Sequence, residues 1–146
     1  MAEKFKLIPE AHVFLMKGDD EVLLLRRFNT GFEDGKYSVI AGHIDGNEEV
    51  RAAAIREARE EAGIEIRTEG IEVVGVMHRK SEDERVGFFL AATRWRGDVV
   101  NAEPHRCDDL SWHSVRDLPD NMVPYVRRAL ENYLNGKFYD SFGWEE

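Results

Sequence analysis

The sequence predicts an α+β fold, a mixed β-sheet with helices packed on its faces. Three observations lead there. Apolar, β-prone runs separated by short polar turns alternate with two helical segments, in the order β-β-loop-β-α-β-β-β-α, which mixes hairpins with helices. Of 146 residues, 42% are hydrophobic and 34% charged, the balance of a chain that buries a core. No repeat, low-complexity tract or Pro/Ser linker divides the chain, so residues 1–146 read as one domain.

The elements follow in order. Ala11 to Met16 is apolar and β-prone, Lys17-Gly18-Asp19-Asp20 is a turn, and Glu21 to Arg26 is strand-like again, which makes a hairpin. Asn29-Thr30-Gly31 and Glu33-Asp34-Gly35 mark a polar loop. Tyr37 to Ile40 is a short strand running into Ala41-Gly42-His43. Glu48 to Ala62 carries the strongest helix signal: Asn47 suits the N-cap, Glu48 and Glu49 suit the positive first turn, alanines fill the interior and Gly63 suits the C′ position. Ile71 to Arg79 and Arg85 to Trp95 read as strands joined by the charged turn Ser81-Glu82-Asp83-Glu84, and Leu110 to Val115 as another short strand. Pro124 fits the first turn of a last helix that ends at Gly136, with Val123, Val126, Leu130 and Leu134 as its apolar stripe. Residues 137–146 form a tail whose Phe138, Tyr139, Phe142 and Trp144 call for packing on the body of the protein or on a partner subunit.

Charge and composition exclude several classes. Twenty basic and 29 acidic residues give a net charge of −9, which argues against a broad phosphate-backbone footprint and polymeric nucleic acid as main partner. A small phosphorylated substrate is compatible, because a divalent cation among carboxylates inverts the local field. The single cysteine, Cys107, closes no internal disulfide, so a reducing, cytoplasmic setting is expected. No apolar run approaches the roughly 18 residues of a membrane span. The segment Met1-Ala2-Glu3-Lys4-Phe5-Lys6 has no apolar core of a secretory signal.

The chemistry concentrates in Arg56-Glu57-Ala58-Arg59-Glu60-Glu61. At helical spacing Glu57, Glu60 and Glu61 share one stripe, and Ile55, Ala58 and Ala62 another, suited to the core. Three like charges so placed repel one another. Arg56 and Arg59 relieve part of that, and a divalent cation would relieve more. An all-carboxylate set without His or Cys suits Mg²⁺ or Mn²⁺, whereas a solvated acidic helix face is the plainer alternative.

The flanks bear on that choice. Gly42, five residues, Glu48, seven residues and then Arg56-Glu57-Ala58-Arg59-Glu60-Glu61-Ala62-Gly63-Ile64 fill every specified position of a known pattern, G-x5-E-x7-R-E-U-x-E-E-x-G-U with U apolar. Residues 42–64 thus resemble the Nudix box. The approach Gly35 to His43 resembles the strand that precedes the box in that family, and the element order resembles the α/β/α Nudix sandwich over roughly residues 8 to 135. The resemblance implies a hydrolase that cuts a nucleoside diphosphate linked to a further group X.

It also implies roles. Glu57, Glu60 and Glu61 would bind Mg²⁺ (or Mn²⁺), with the carbonyl of Gly42 as a further ligand. Arg56 would pair with Glu48 or Glu60 and orient it. A carboxylate takes the proton of the attacking water, either a box glutamate (Glu60 or Glu61) or one on a later loop. Glu103 is that later candidate, because Glu103-Pro104 followed by Cys107 and Trp112 resembles the corresponding loop of MutT-like members; a solvated loop acid is the alternative. Size and this loop point to a nucleoside triphosphate cut to monophosphate and diphosphate. ADP-ribose or a nucleotide sugar is the second substrate reading.

Other residues carry weaker signals. Arg26 or Arg27, at the end of a strand, could clamp a phosphate or simply sit at the surface. Phe28, Phe32 and Tyr37 could stack on a base or pack in the core. The five histidines show no zinc spacing, and no G-x-S-x-G motif is present. A non-catalytic sensor with the same fold, or an isoprenoid diphosphate isomerase, are the competing classes. The complete box and the lack of a cysteine near it argue against each in turn. The expected partners are a small nucleotide and, at most, a second copy of the chain, with no membrane.

Overall fold

Strand β1 (Ile8–Lys17) is buried on both faces from Glu10 to Met16 and forms the axis of a computed structural model that describes residues 2–144. Met1, Glu145 and Glu146, the ends of the segments read above as leader-free N-terminus and aromatic tail, lie outside the described residues. Side chains alternate across a strand, so β1 faces two ways. Ala11, Val13 and Leu15 enter one core with helix α1 (Val50–Ala62), while Phe14 and Met16 enter a second core with helix α2 (Pro124–Leu134). Glu10 and His12 stand on the same side as Phe14 and are the polar exceptions in an otherwise apolar run. A strand sandwiched between two helices has to be apolar on both faces, which is why the sequence reads as a near-continuous hydrophobic stretch there.

The sheet is mixed. β1 pairs antiparallel with β4 (Ile40–His43) and parallel with β6 (Glu84–Ala92), which pairs antiparallel with β5 (Glu72–Lys80). The hairpin from β1 to β2 (Glu21–Arg27) forms as expected, but only Met16 and Lys17 of β1 pair across it. β2 then departs and pairs with β3 (Tyr37–Ser38) and β7 (Cys107–Ser114). The hydrophobic pattern therefore predicts the strands well and their partners poorly. The α+β expectation holds, with one helix on each side of the sheet.

Three expectations need correcting. α1 starts at Val50 rather than Glu48, and its N-cap is Glu49 with no side-chain bond. Asn47 takes a left-handed conformation, φ 64°, and Glu48 stays in the loop before the helix with its carboxylate bonded to Arg56, so no acid occupies the first turn. The other end is as predicted: Gly63 is left-handed and its N–H bonds the Arg59 carbonyl at 3.1 Å. In α2, Val126 and Leu130 are buried beside Val123, but Leu134 is exposed because the helix ends there. The aromatic tail does pack on the body, and it does so as an eighth strand. β8 (Tyr139–Phe142) adds in parallel to the edge strand β5. Phe142 joins the second core, the Trp144 indole N–H bonds the His78 carbonyl at 2.9 Å, and Phe138 and Tyr139 remain exposed. No helix among the described residues is long and apolar enough to cross a membrane.

Candidate active site

Alanines make the site possible. Ala53, Ala54, Ala58 and Ala62 are fully buried on the face of α1 that meets β1 and β4, and their small side chains let the helix lie close to the sheet. Gly42 on β4 meets the next turn of the same face. A Cβ there would overlap the carboxylate of Glu57, so only glycine lets this acid lie against the backbone. Glu57 is buried, with 8% of its surface exposed.

Arg56 ties the loop to the helix. Its Nε and Nη2 donate to the two carboxylate oxygens of Glu48 at 2.7 and 3.0 Å, its Nη1 to Glu57 at 2.9 Å and Glu60 at 3.3 Å, and its Nη2 also to the His43 carbonyl at 3.1 Å. Glu48 in turn accepts the Asp45 N–H at 3.0 Å. The bonds to Glu48 first, and the charges of Glu57 and Glu48, raise the already high pKa of the guanidinium. A planar, bidentate cation is what this geometry requires.

Glu61 lies beyond Glu57 on the same helix face. Burial pushes its carboxyl pKa well above the usual range, and the hydrogen bond and charge of Glu57 and the charge of Glu103 push the same way. Glu61 Oε1 also lies 3.4 Å from the Ala41 N–H. Glu103 reaches the cluster from a loop braced by Asn101, whose side chain accepts the Glu103 N–H at 3.1 Å and donates to the Cys107 carbonyl at 2.7 Å. Glu60 is the outermost of the helix acids, half exposed.

These carboxyls fit a hard divalent cation by donor chemistry. A buried group that prefers a proton to ionisation also gains most from a cation that replaces the proton. Among the described residues no three acid, His or Cys side chains already converge at ligand spacing. The set is a cluster of oxygen donors, held close by the packing of α1 and shared in part with Arg56.

Glu57, Glu60, Glu61, Glu103 and Gly42 all line one open cleft of about 880 Å³. Arg27 lines it too, whereas Arg26 does not. Consecutive residues of a strand point to opposite faces, so Arg27 shares the cleft side of β2 with Leu25 and Arg26 does not. Arg26 turns outward to Asp108, Nε to Oδ1 2.8 Å, which is the surface alternative read for it from the sequence. Of the three aromatic candidates, Tyr37 is buried and donates its hydroxyl to Asp109, Phe28 is exposed outside the cleft, and Phe32 is exposed on its rim.

Sequence reasoning missed the opposite wall. Glu10 accepts Arg79 Nη2 at 2.8 Å with one oxygen and Arg85 Nη1 at 2.7 Å with the other. Arg79 lies over the Tyr125 ring at 3.8 Å, and His12 Nε2 meets the Tyr125 hydroxyl at 2.9 Å. Burial drives His12 down to about 4 and Tyr125 up to about 12, so both are neutral near pH 7. These residues come from β1, β5, β6 and α2, and no local motif links them. The one available signal was a pair of polar residues, Glu10 and His12, on alternate positions of a strand buried on both faces.

Comparison with known proteins agrees with the box. The family model of the NUDIX domain matches residues 6–133. An NAD-capped RNA hydrolase NudC of Pseudomonas entomophila is 33% identical over 129 residues, 88% of this chain and 43% of the relative. A NudC of Pseudomonas aeruginosa is 33% identical over 115 residues, 78% of this chain and 38% of the relative. The chain thus spans less than half the length of these curated relatives. A MutT NUDIX hydrolase from Burkholderia pseudomallei superposes with a TM-score of 0.79 at 25% identity, over 87% of this chain and 98% of that one.

Proposed function

The chain belongs to the Nudix family, and on that premise we propose that it hydrolyses the pyrophosphate bond of a nucleoside diphosphate linked to a further group X, with Mg²⁺ or Mn²⁺. The observation that carries this reading is the cluster of Glu57, packed against the backbone of Gly42, with Glu60 and Glu61 on the same helix, all three lining the cleft. Glu57, Glu60, Glu61 and the Gly42 carbonyl would hold the metal. When bound, it supplies neutralisation of the diphosphate charge and a more acidic water. Arg56 orients the acids by sharing its donors between Glu48, Glu57 and Glu60. A carboxylate of Glu60, Glu61 or Glu103 accepts the proton of the attacking water. The Arg27 guanidinium, which lines the same cleft, suits the phosphates that the carboxylates would otherwise repel.

For X, we infer a further phosphate, so that a (deoxy)nucleoside triphosphate leaves as monophosphate and diphosphate. A second reading is a dinucleotide of the NAD type. It is supported by relatives about one-third identical that are named as NAD-capped RNA hydrolases. ADP-ribose and nucleotide sugars fall in the same chemical class. The test is a panel of these substrates with Mg²⁺, products separated by chromatography. Triphosphate turnover to monophosphate plus diphosphate supports the first reading. Cleavage confined to NAD, ADP-ribose or a capped RNA end replaces it with the second. Turnover of nothing, by folded and metal-loaded protein, overturns the hydrolase reading.

A further inference from the structure

We propose that Phe32 is the platform on which the planar base of the nucleotide stacks. The inference rests on the pyrophosphohydrolase reading above and assigns the part of the substrate that the carboxylates do not touch. Phe32 leaves 49% of its surface in water, yet it lines the cleft that holds Glu57 and Glu61. An apolar ring so exposed gains from being covered, and a nucleobase offers a matching flat face.

The loop that carries the ring is stiff. Arg27 Nε donates to the Phe32 carbonyl at 2.6 Å, Arg27 Nη2 to the Thr30 hydroxyl at 2.9 Å, and its guanidinium carbon lies 5.2 Å from the centre of the Phe32 ring. The Asp34 carboxylate collects the Thr30 N–H at 3.0 Å and the Gly31 N–H at 2.9 Å. At its base the loop closes with Gly35 N–H to the Arg27 carbonyl at 2.8 Å and Arg27 N–H to the Lys36 carbonyl at 2.9 Å. Glu33, next to the ring, takes a left-handed φ of 51°, uncommon for a residue with a side chain. The ring is therefore presented without a large loss of freedom on binding, which is what a specificity contact requires.

The test compares wild type, Phe32→Ala and Phe32→Tyr on the best substrate of the panel, with inorganic tripolyphosphate as a competing probe that has no base. The expected result is a KM about 5- to 100-fold higher in Phe32→Ala, with kcat within about threefold. The inhibition constant of tripolyphosphate stays unchanged, and Phe32→Tyr returns KM to near wild type. An unchanged KM in Phe32→Ala overturns the proposal. So does a parallel rise of KM and the tripolyphosphate constant, because the loop would then act on the phosphate end. If wild type cleaves no nucleotide, the pyrophosphohydrolase reading falls, and the proposal with it.

Discussion

Gly42 and Glu57 touch so closely that a methyl group on Gly42 would fall inside the Glu57 carboxylate. The glycine is there to admit the acid, not to turn the chain, since its backbone is ordinary strand paired with Ala11. Gly42→Ala should therefore fold, because the atom in the way is the far end of a flexible side chain. It should displace Glu57 and lower kcat about 10- to 100-fold, with a higher Mg²⁺ requirement. Thermal melting alongside Mg²⁺ titrations of activity checks both halves.

Arg56 bonds three glutamates and a carbonyl at once. A lysine keeps the charge but loses the planar fork, so Arg56→Lys should hold Glu48 or Glu57 but not both. Activity at saturating substrate should fall about 10- to 100-fold, partly recovered at high Mg²⁺. Activity equal to wild type at low Mg²⁺ would show that the fork is not needed.

His12 makes stability depend on pH. Burial lowers its pKa to about 4, from an ordinary value near 6.5. The unfolded chain then binds more protons between those values, so its contribution is fully present above pH 6.5 and is lost as pH falls towards 4. From pH 7 to pH 5 this group alone should cost about 2 kcal/mol. Urea midpoints at the two pH values measure it. In His12→Gln, which keeps a polar group near Tyr125 and the Phe88 carbonyl, the difference between the two pH values should shrink by about that amount.

What was legible in the sequence was local. The box reads directly, because Gly42, Glu48, Arg56, Glu57, Glu60, Glu61 and Gly63 lie within 23 residues, and helix spacing places the acids together. The start of α1 was misplaced because Asn47 and Glu48 look like a cap and a first turn, while Arg56, a full eight residues on, determines where Glu48 goes. Strand alternation puts Arg26 and Arg27 on opposite faces of β2, but which face meets the cleft is decided by the sheet order and not by the local sequence. The wall of Glu10, His12, Arg79, Arg85 and Tyr125 is assembled from elements up to 115 residues apart, and only the sheet order reveals it. β8 was hidden for another reason: its Tyr139-Asp140-Ser141-Phe142 has no apolar alternation, and it forms by adding to an available edge.

Hydrolysis, as proposed, depends on a metal held by Glu57, Glu60 and Glu61. Binding of Mn²⁺, followed by electron paramagnetic resonance in wild type and Glu61→Gln with turnover measured on the same samples, tests it most directly. Mn²⁺ affinity should drop at least tenfold in the variant and turnover about 100-fold or more, with the melting temperature kept, since a neutral amide matches the size of the protonated carboxyl that burial favours. Unchanged Mn²⁺ binding in Glu61→Gln, or wild-type turnover that survives complete chelation of divalent ions, would contradict it.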